Sequence, residues 1–351
     1  MSASAPQPGE GRPVDLVFEG GGVKGIGLAG AYWKLWDEGY RPACVAGTSA
    51  GAITAALVAA GYTGPELRDI VLAMKFKDFE DPSFFDRFGA PGDMLQFLTH
   101  RGIHSGDYFS DWMRKQLARK HKTKFGDLKD PNATDDKRRY GLQVIASDLS
   151  GRCMLVLPRD AAKLGVDDPD ELDIADAVRM SMSIPVFFKP VVRKDDRGRE
   201  HTIVDGGLLS NYPIWLFDAA DGVIPRFPTF GMLLVAPDQA APLVADPSSS
   251  GELPPVSSPV EFAKAIVETM MQAHDRFYVE QANYARTIPI PTLGVKTTQF
   301  DLSSVLAQRL FESGVQAATS FLQTWNFDAY IDRFRTGPSP TRRSTVLAPP
   351  A

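Results

Sequence analysis

The apolar run Val14-Asp15-Leu16-Val17-Phe18 stops at a glycine-rich turn, Gly20-Gly21-Gly22-Val23-Lys24-Gly25. Beyond it, Ile26 to Glu38 places Leu28, Ala31, Tyr32, Leu35 and Trp36 at helical spacing. The same succession returns at once. A short run, Ala43-Cys44-Val45-Ala46, leads into Gly47-Thr48-Ser49-Ala50-Gly51, and a helix of small residues follows through Ala52, Ile53, Ala56, Leu57 and Ala60 to Gly61. Two consecutive strand–turn–helix units predict a parallel sheet with right-handed crossovers, in an α/β fold. Ligands in such sheets bind at the carboxyl ends of the strands, where both turns lie.

Residues 62 to 110 break this rhythm. Phe76, Phe79, Phe84, Phe85, Phe88, Met94, Phe97, Leu98 and Phe109 are interleaved with Asp, Gly and Pro. Two expectations follow: a helical insertion packed on the main core, or an apolar cap over a lipophilic pocket. Strand-like runs come at Tyr140–Ser147 and Cys153–Leu157, then a helix over Ile174–Met182. A strand at His201–Val204 ends in the turn Asp205-Gly206-Gly207, and Met232–Val235 reads as a buried strand. Ala240 to Pro259 is a Pro- and Ser-rich loop, and Val260–Arg286 and Ser303–Trp325 read as amphipathic helices. One domain is expected over residues 14–326, between a disordered leader (1–13) and a disordered tail (337–351), without internal repeats.

Composition narrows the class. Among 351 residues, 44% are hydrophobic and 23% charged, as in a globular protein with a substantial core. The net charge of −5 exerts no global pull toward nucleic acid, and no Cys/His spacing resembles a zinc site. Cys44 and Cys153 form no disulfide framework and fit a reducing compartment. The chain lacks a membrane-spanning apolar run, and its first residues lack the apolar stretch of a signal peptide, so a cytoplasmic location is expected. The segment 114–139 carries ten Lys/Arg against four acids. Such runs are mostly solvated helix faces, while a minority meet anionic phospholipid surfaces, so peripheral membrane contact there is the sharper expectation.

Gly20-x-Gly22-x-x-Gly25 matches the dinucleotide fingerprint literally. That fingerprint also requires a carboxylate about 20 residues on, at the end of the second strand. Gly47-Thr48-Ser49-Ala50-Gly51 occupies that place, so no acid is available for a ribose. Gly47-x-Ser49-x-Gly51, between a strand and a small-residue helix, instead has the form that exposes a serine hydroxyl as a nucleophile. The helix N-terminus adds positive potential beside Oγ. A base is then needed. Of the five histidines, His100 and His104 lie in the aromatic insertion, His121 in the basic stretch, and His201 four residues before Asp205. His274 follows Asp205 but sits on a polar helix face, so none has a convincing context. Asp205 ends an apolar strand before two glycines, and a carboxylate in apolar surroundings is basic enough to take the proton directly. An Asx-turn is the plainer role for the same residue.

Taken together, the three turns resemble the patatin-like phospholipase family, whose pattern is a G-x-G-x-x-G turn, a G-x-S-x-G elbow and a later D-G-A/G turn. The combination is far more specific than any one part. Similarity extends through Ser181-Met182-Ser183-Ile184-Pro185, Phe187 and Pro190, through Asn211 and Pro213, and to Pro291–Gly294 and Phe300–Leu302. The resemblance implies a three-layer α/β/α fold with a mainly parallel sheet and a histidine-free Ser–Asp dyad. By position, Ser49 is the nucleophile, Asp205 the proton acceptor, and the Gly20, Gly21 and Gly22 backbone the oxyanion hole. Lys24, Gly25, Gly47, Gly51, Gly206 and Gly207 support them, and Glu19 stands where many members have Asp. The implied activity is acyl-ester hydrolysis on a phospholipid or lysophospholipid, with no metal and no cofactor. Acyl transfer through the same acyl-enzyme, and a non-catalytic lipid-binding regulator, are the alternatives.

Overall fold

The computed structural model describes residues 11–74, 106–220, 223–236, 265–266, 269–270, 281–297 and 299–336. Residues 1–10 of the expected leader, the tail, Phe76 to Leu98, His100, His104, the loop Ala240–Pro259 and His274 lie outside the described residues.

Among the described residues eight strands form one sheet: β1 Arg12–Phe18, β2 Tyr40–Thr48, β3 Leu142–Asp148, β4 Cys153–Leu157, β5 Val191–Lys194, β6 Glu200–Asp205, β7 Thr229–Val235 and β8 Thr287–Pro291. They bond along the path β5-β6-β3-β2-β1-β7-β8, and β4 pairs with β3. The centre, from β3 through β2, β1 and β7 to β8, is parallel, and the β3–β4, β3–β6 and β5–β6 pairs are antiparallel. β1 begins at Arg12, slightly inside the expected leader. The helices are α1 Ile26–Asp37, α2 Ala50–Ala59, α3 Gly64–Ala73, α4 Asp107–Arg119, α5 Ile174–Ser181, α6 Gln281–Tyr284, α7 Ser304–Thr324 and α8 Phe327–Phe334. Both predicted strand–turn–helix units are therefore present.

Strand alternation sorts the core onto two faces. Val14, Leu16 and Phe18 of β1 and Val45 of β2 join the main cluster with α1, α2 and α7. Val17, Cys44 and Ala46 point the other way and pack with Leu216 and Phe217. On the main face α1 and α7 cross closely, because Gly30 and Gly314 bring backbone against backbone: a Cβ at either would overlap a carbonyl of the facing helix. Tyr62, Leu67, Val71 and Phe109 belong to this core. The described flanks of the 62–110 insertion are thus part of the domain body. α3 opens with a reciprocal capping box between Thr63 and Glu66.

Two elements differ from expectation. Thr287–Pro291, which the sequence did not mark as a strand, is edge strand β8. The Gly231 amide donates to the Arg286 carbonyl and the Thr292 amide to the Val235 carbonyl, so the even positions of β8 face β7. Pro289 and Pro291 then fall on the open side, where a missing N–H leaves no ladder bond unmade. The ordered chain also continues past residue 326: Trp325, Tyr330 and Phe334 form successive ring contacts, and Arg335 pairs with Asp218 at 3.2 Å.

Candidate active site

The register along β3 brings the two distant motifs together. β2 pairs with β3 as far as Thr48↔Ile145, and β6 pairs from Asp205↔Ala146. The Val45 amide bonds the Gly141 carbonyl and the Leu149 amide bonds the Thr202 carbonyl. Positions 141 and 149 are an even number apart on one extended strand, so they present polar groups to the same side. β6 therefore takes up the side of β3 where β2 stops. Ser49, the next residue after β2, meets Asp205, the last of β6.

Ser49 adopts φ 53°, ψ −124° on the turn between β2 and α2, a left-handed-side conformation uncommon for any residue except glycine. The turn tolerates it because its neighbours are small. A Cβ on Gly47 would overlap the Gly51 carbonyl, and one on Gly51 would overlap the carbonyls of Phe18, the last residue of β1, and of Glu19. Gly51→Ala is accordingly expected to destabilise the fold by roughly 2–4 kcal/mol, since neither obstruction is a movable side chain. Urea melts of the variant read this directly, and an unchanged midpoint would remove the argument.

Ser49 Oγ donates to Asp205 Oδ2 at 2.6 Å. Asp205 Oδ1 accepts the Gly207 amide at 2.8 Å. The Asx-turn and the general-base reading are therefore compatible, one carboxylate oxygen serving each. Asp205 is fully buried, and burial pushes its carboxyl up to about 7; the Ser49 and Gly207 hydrogen bonds act in the opposite direction. Among the described residues no histidine bonds either partner. His201 lies farther back on β6, with Nδ1 2.6 Å from Asp148 Oδ2 and Nε2 3.5 Å from Asp195 Oδ2, and the Asp148 contact leads those that raise its pKa.

The glycine turn after β1 lies against Ser49, where a Cβ on Gly20 would stand 3.1 Å from Ser49 Cβ. The three amides differ. Gly20 N–H donates to the Asn211 carbonyl at 3.1 Å, whereas those of Gly21 and Gly22 have no acceptor among the described residues. Gly22 takes φ +57°, and a side chain there would strike the Thr297 carbonyl. Of the three predicted donors, Gly21 and Gly22 remain available to an oxyanion, and Gly20 holds the turn in place. Lys24 bends over the turn, with Cε 3.5 Å from the Cβ position of Gly21, and makes no ion pair among the described residues. Gly25 packs closely on Ala50.

Residues after Asp205 stitch these parts together. Asn211 Nδ2 donates to Glu19 Oε1 at 3.1 Å and to the Gly20 carbonyl at 3.2 Å, and Thr48 Oγ1 donates to the Ser210 carbonyl at 3.0 Å. Glu19 Oε2 also accepts the Leu234 amide, so the buried glutamate ties the glycine turn to β7. Gly206 sits where a Cβ would overlap the Ile145 carbonyl. Ser181 and Ser183, which entered the sequence reading only through resemblance, bond Ser49 and Asp205 directly: Ser49 N–H donates to Ser181 Oγ and Asp205 N–H to the Ser183 carbonyl, both at 2.9 Å.

Most cations of the basic stretch 114–139 are ion-paired within the fold. Arg114 pairs with Asp176, Lys120 with Glu66 at 2.7 Å, Lys124 with Glu171, Lys129 with Asp170 at 2.6 Å, and Arg139 with Asp136 at 2.6 Å. Arg138 forks onto the buried Asp15, with Nη1–Oδ1 at 2.7 Å; burial raises the Asp15 carboxyl to about 6 despite this partner. Much of the positive charge is thus neutralised within the fold. Among the described residues no helix is long and apolar enough to cross a membrane.

Comparison with known proteins shows the family of this chain. The family model described as Patatin-like phospholipase matches residues 16–218, more than half of the chain. The Bacillus subtilis protein YqhO is 37% identical over 317 residues, covering 90% of this chain and 99% of its own. An NTE family protein of Mycobacterium tuberculosis is 28% identical over 207 residues, 58% of this chain and 28% of the relative. Among solved structures, VipD from Legionella pneumophila superposes with a TM-score of 0.52 at 18% identity, over 90% of this chain and 67% of that one, a likeness of fold.

Proposed function

Because the chain belongs to the patatin-like phospholipase family, we propose that it is a lipid acyl hydrolase working through a Ser49–Asp205 dyad. The observation that carries this reading is the 2.6 Å hydrogen bond from Ser49 Oγ to a carboxylate buried enough to be basic near neutrality. Ser49 Oγ attacks the acyl-ester carbonyl while Asp205 takes its proton. The Gly21 and Gly22 amides receive the oxyanion, helped by the positive end of α2. Collapse expels the alcohol, which recovers the proton from Asp205 and leaves an acyl group on Ser49. Water, deprotonated by Asp205, attacks that ester, releases the fatty acid and restores both side chains. Phospholipid or lysophospholipid is the proposed substrate class, and Lys24 supplies a cation beside the site for an anionic headgroup.

A fluorophosphonate probe tests the reading. The expected result is a single adduct on Ser49 of the wild-type chain, none in Ser49→Ala, and free fatty acid from phospholipid vesicles. Fatty acid appearing only on an added alcohol acceptor would point to acyl transfer. An unlabelled, inactive wild type that still binds vesicles would point to a lipid-binding regulator.

A further inference from the structure

One stretch of chain touches both members of the dyad. Ser181, the last residue of α5, accepts the amide of the nucleophile on its hydroxyl oxygen, and two residues later Ser183 accepts the amide of the base on its carbonyl, both at 2.9 Å. Ser181 and Ser183 are fully buried and Arg179 nearly so. The stretch is itself braced. Arg179 donates Nη1 to Ser183 Oγ and Nη2 to the Lys189 carbonyl at 2.8 Å, and Ser183 Oγ donates back to the Arg179 carbonyl at 2.8 Å. The arginine is packed against Gly106 at the start of α4, where a side chain would overlap the guanidinium.

The need for such a brace comes from the nucleophile. At φ 53°, Ser49 holds a backbone conformation that persists only when its surroundings over-determine it. Its N–H precedes the first turn of α2 and has no helical acceptor. Small rotations at this residue swing Oγ away from Asp205, and misplacements of about 1 Å are worth roughly a hundredfold in rate.

We propose that Ser181 is the positioning residue of the dyad: its hydroxyl oxygen holds the Ser49 amide and so fixes the strained turn that aims Oγ at Asp205, with Arg179 and Ser183 anchoring the stretch. This rests on the hydrolase reading above. Among the described residues the groups acting on the Asp205 carboxyl are the Ser49 hydroxyl and the Gly207 amide, with no charged side chain. The Ser49 bond lowers the carboxyl pKa, so loosening Ser49 must raise it.

The test compares fluorophosphonate labelling rates and hydrolysis against pH for wild type, Ser181→Ala and Ser181→Thr. Ser181→Ala is expected to slow both by about 10- to 100-fold with KM little changed. Its acid limb moves to higher pH, and Ser181→Thr, which keeps the oxygen, restores the wild-type limb. Ser181→Ala at the wild-type rate, or slowed with an unmoved limb, overturns the assignment. Should the alanine variant fail to fold, Ser181→Cys, near in size and a weaker acceptor, decides by the same limb. A wild type that takes no label at Ser49 removes the hydrolase reading and this one with it. A labelled wild type whose Ser181 variants keep its limb removes this one alone.

Discussion

Alanine at position 49 is expected to lower ester hydrolysis by about four to six orders of magnitude while the chain stays folded. The loss is large because, on the proposed mechanism, the hydroxyl is the group that becomes acylated, and the oxyanion donors and helix terminus act only on the tetrahedral state it forms. The backbone of Ser49 makes a second, separable prediction. Its φ of 53° is unfavourable for any residue with a Cβ, so alanine inherits the strain and glycine does not. Ser49→Gly should therefore be as inactive as Ser49→Ala but more stable by about 1–2 kcal/mol. Chemical denaturation of the two variants at one pH measures the difference directly, since both have lost the same hydrogen bond to Asp205. Equal stabilities would mean that the turn is relaxed and that glycines 47 and 51 serve packing alone.

What the sequence made legible was local. Each glycine turn announced itself because apolar runs, small flanking residues and a helical repeat lie within about fifteen residues of it, and β1, α1, β2 and α2 formed as read. Asp205 was identifiable by the kind of residue it is and by the strand it ends. Its distance from Ser49 was not, because that depends on where β2 stops pairing with β3 and β6 begins. Register of this kind is a property of three strands at once. The same holds for Ser181, an ordinary helical serine in sequence, whose partner is 132 positions away. Glu19 and Asn211 were visible as motif positions. That they bond each other, and so join the first glycine turn to the loop after Asp205, emerged only in the fold.

Where expectation and structure differ, the reason is a tertiary partner. Two prolines in five residues argue against a strand, yet β8 is an edge strand whose prolines occupy its unpaired side. A charge count over 114–139 sees ten cations, but the acids that neutralise Lys120, Lys124, Lys129 and Arg138 come from residues 66, 171, 170 and 15. The helix after residue 326 is short and mostly polar, and the aromatic contacts of Trp325, Tyr330 and Phe334 tie it to the body of the domain. In each case the missing information was the identity of a residue far away in the chain.

Asparagine at position 205 should separate stability from activity, and the separation should depend on pH. The Asp205 carboxyl is raised from its ordinary 3.8 to about 7, chiefly by burial. Below about pH 4 the carboxyl is protonated in both folded and unfolded chains and contributes no pH dependence. Between about pH 4 and 7 the folded chain retains a proton that the unfolded chain releases, so stability falls as pH rises. Above about 7 the full penalty of an ionised buried carboxylate is present, on the order of 4 kcal/mol. The substituted amide escapes it, because its oxygen can still accept the Gly207 amide and its NH2 can donate to Ser49 Oγ. Asp205→Asn is thus expected to be more stable than wild type at pH 8 by up to that amount, with the two denaturation curves converging near pH 4. Hydrolysis by the variant should fall by about 10³- to 10⁴-fold, since the amide takes no proton from Ser49. The wild-type rate should rise through an acid limb near pH 7 as Asp205 ionises, in the same interval where the folded chain loses stability. A wild type that is the more stable protein at pH 8, or a stability difference that does not change with pH, would show that Asp205 carries no such buried charge and would leave the dyad without its base.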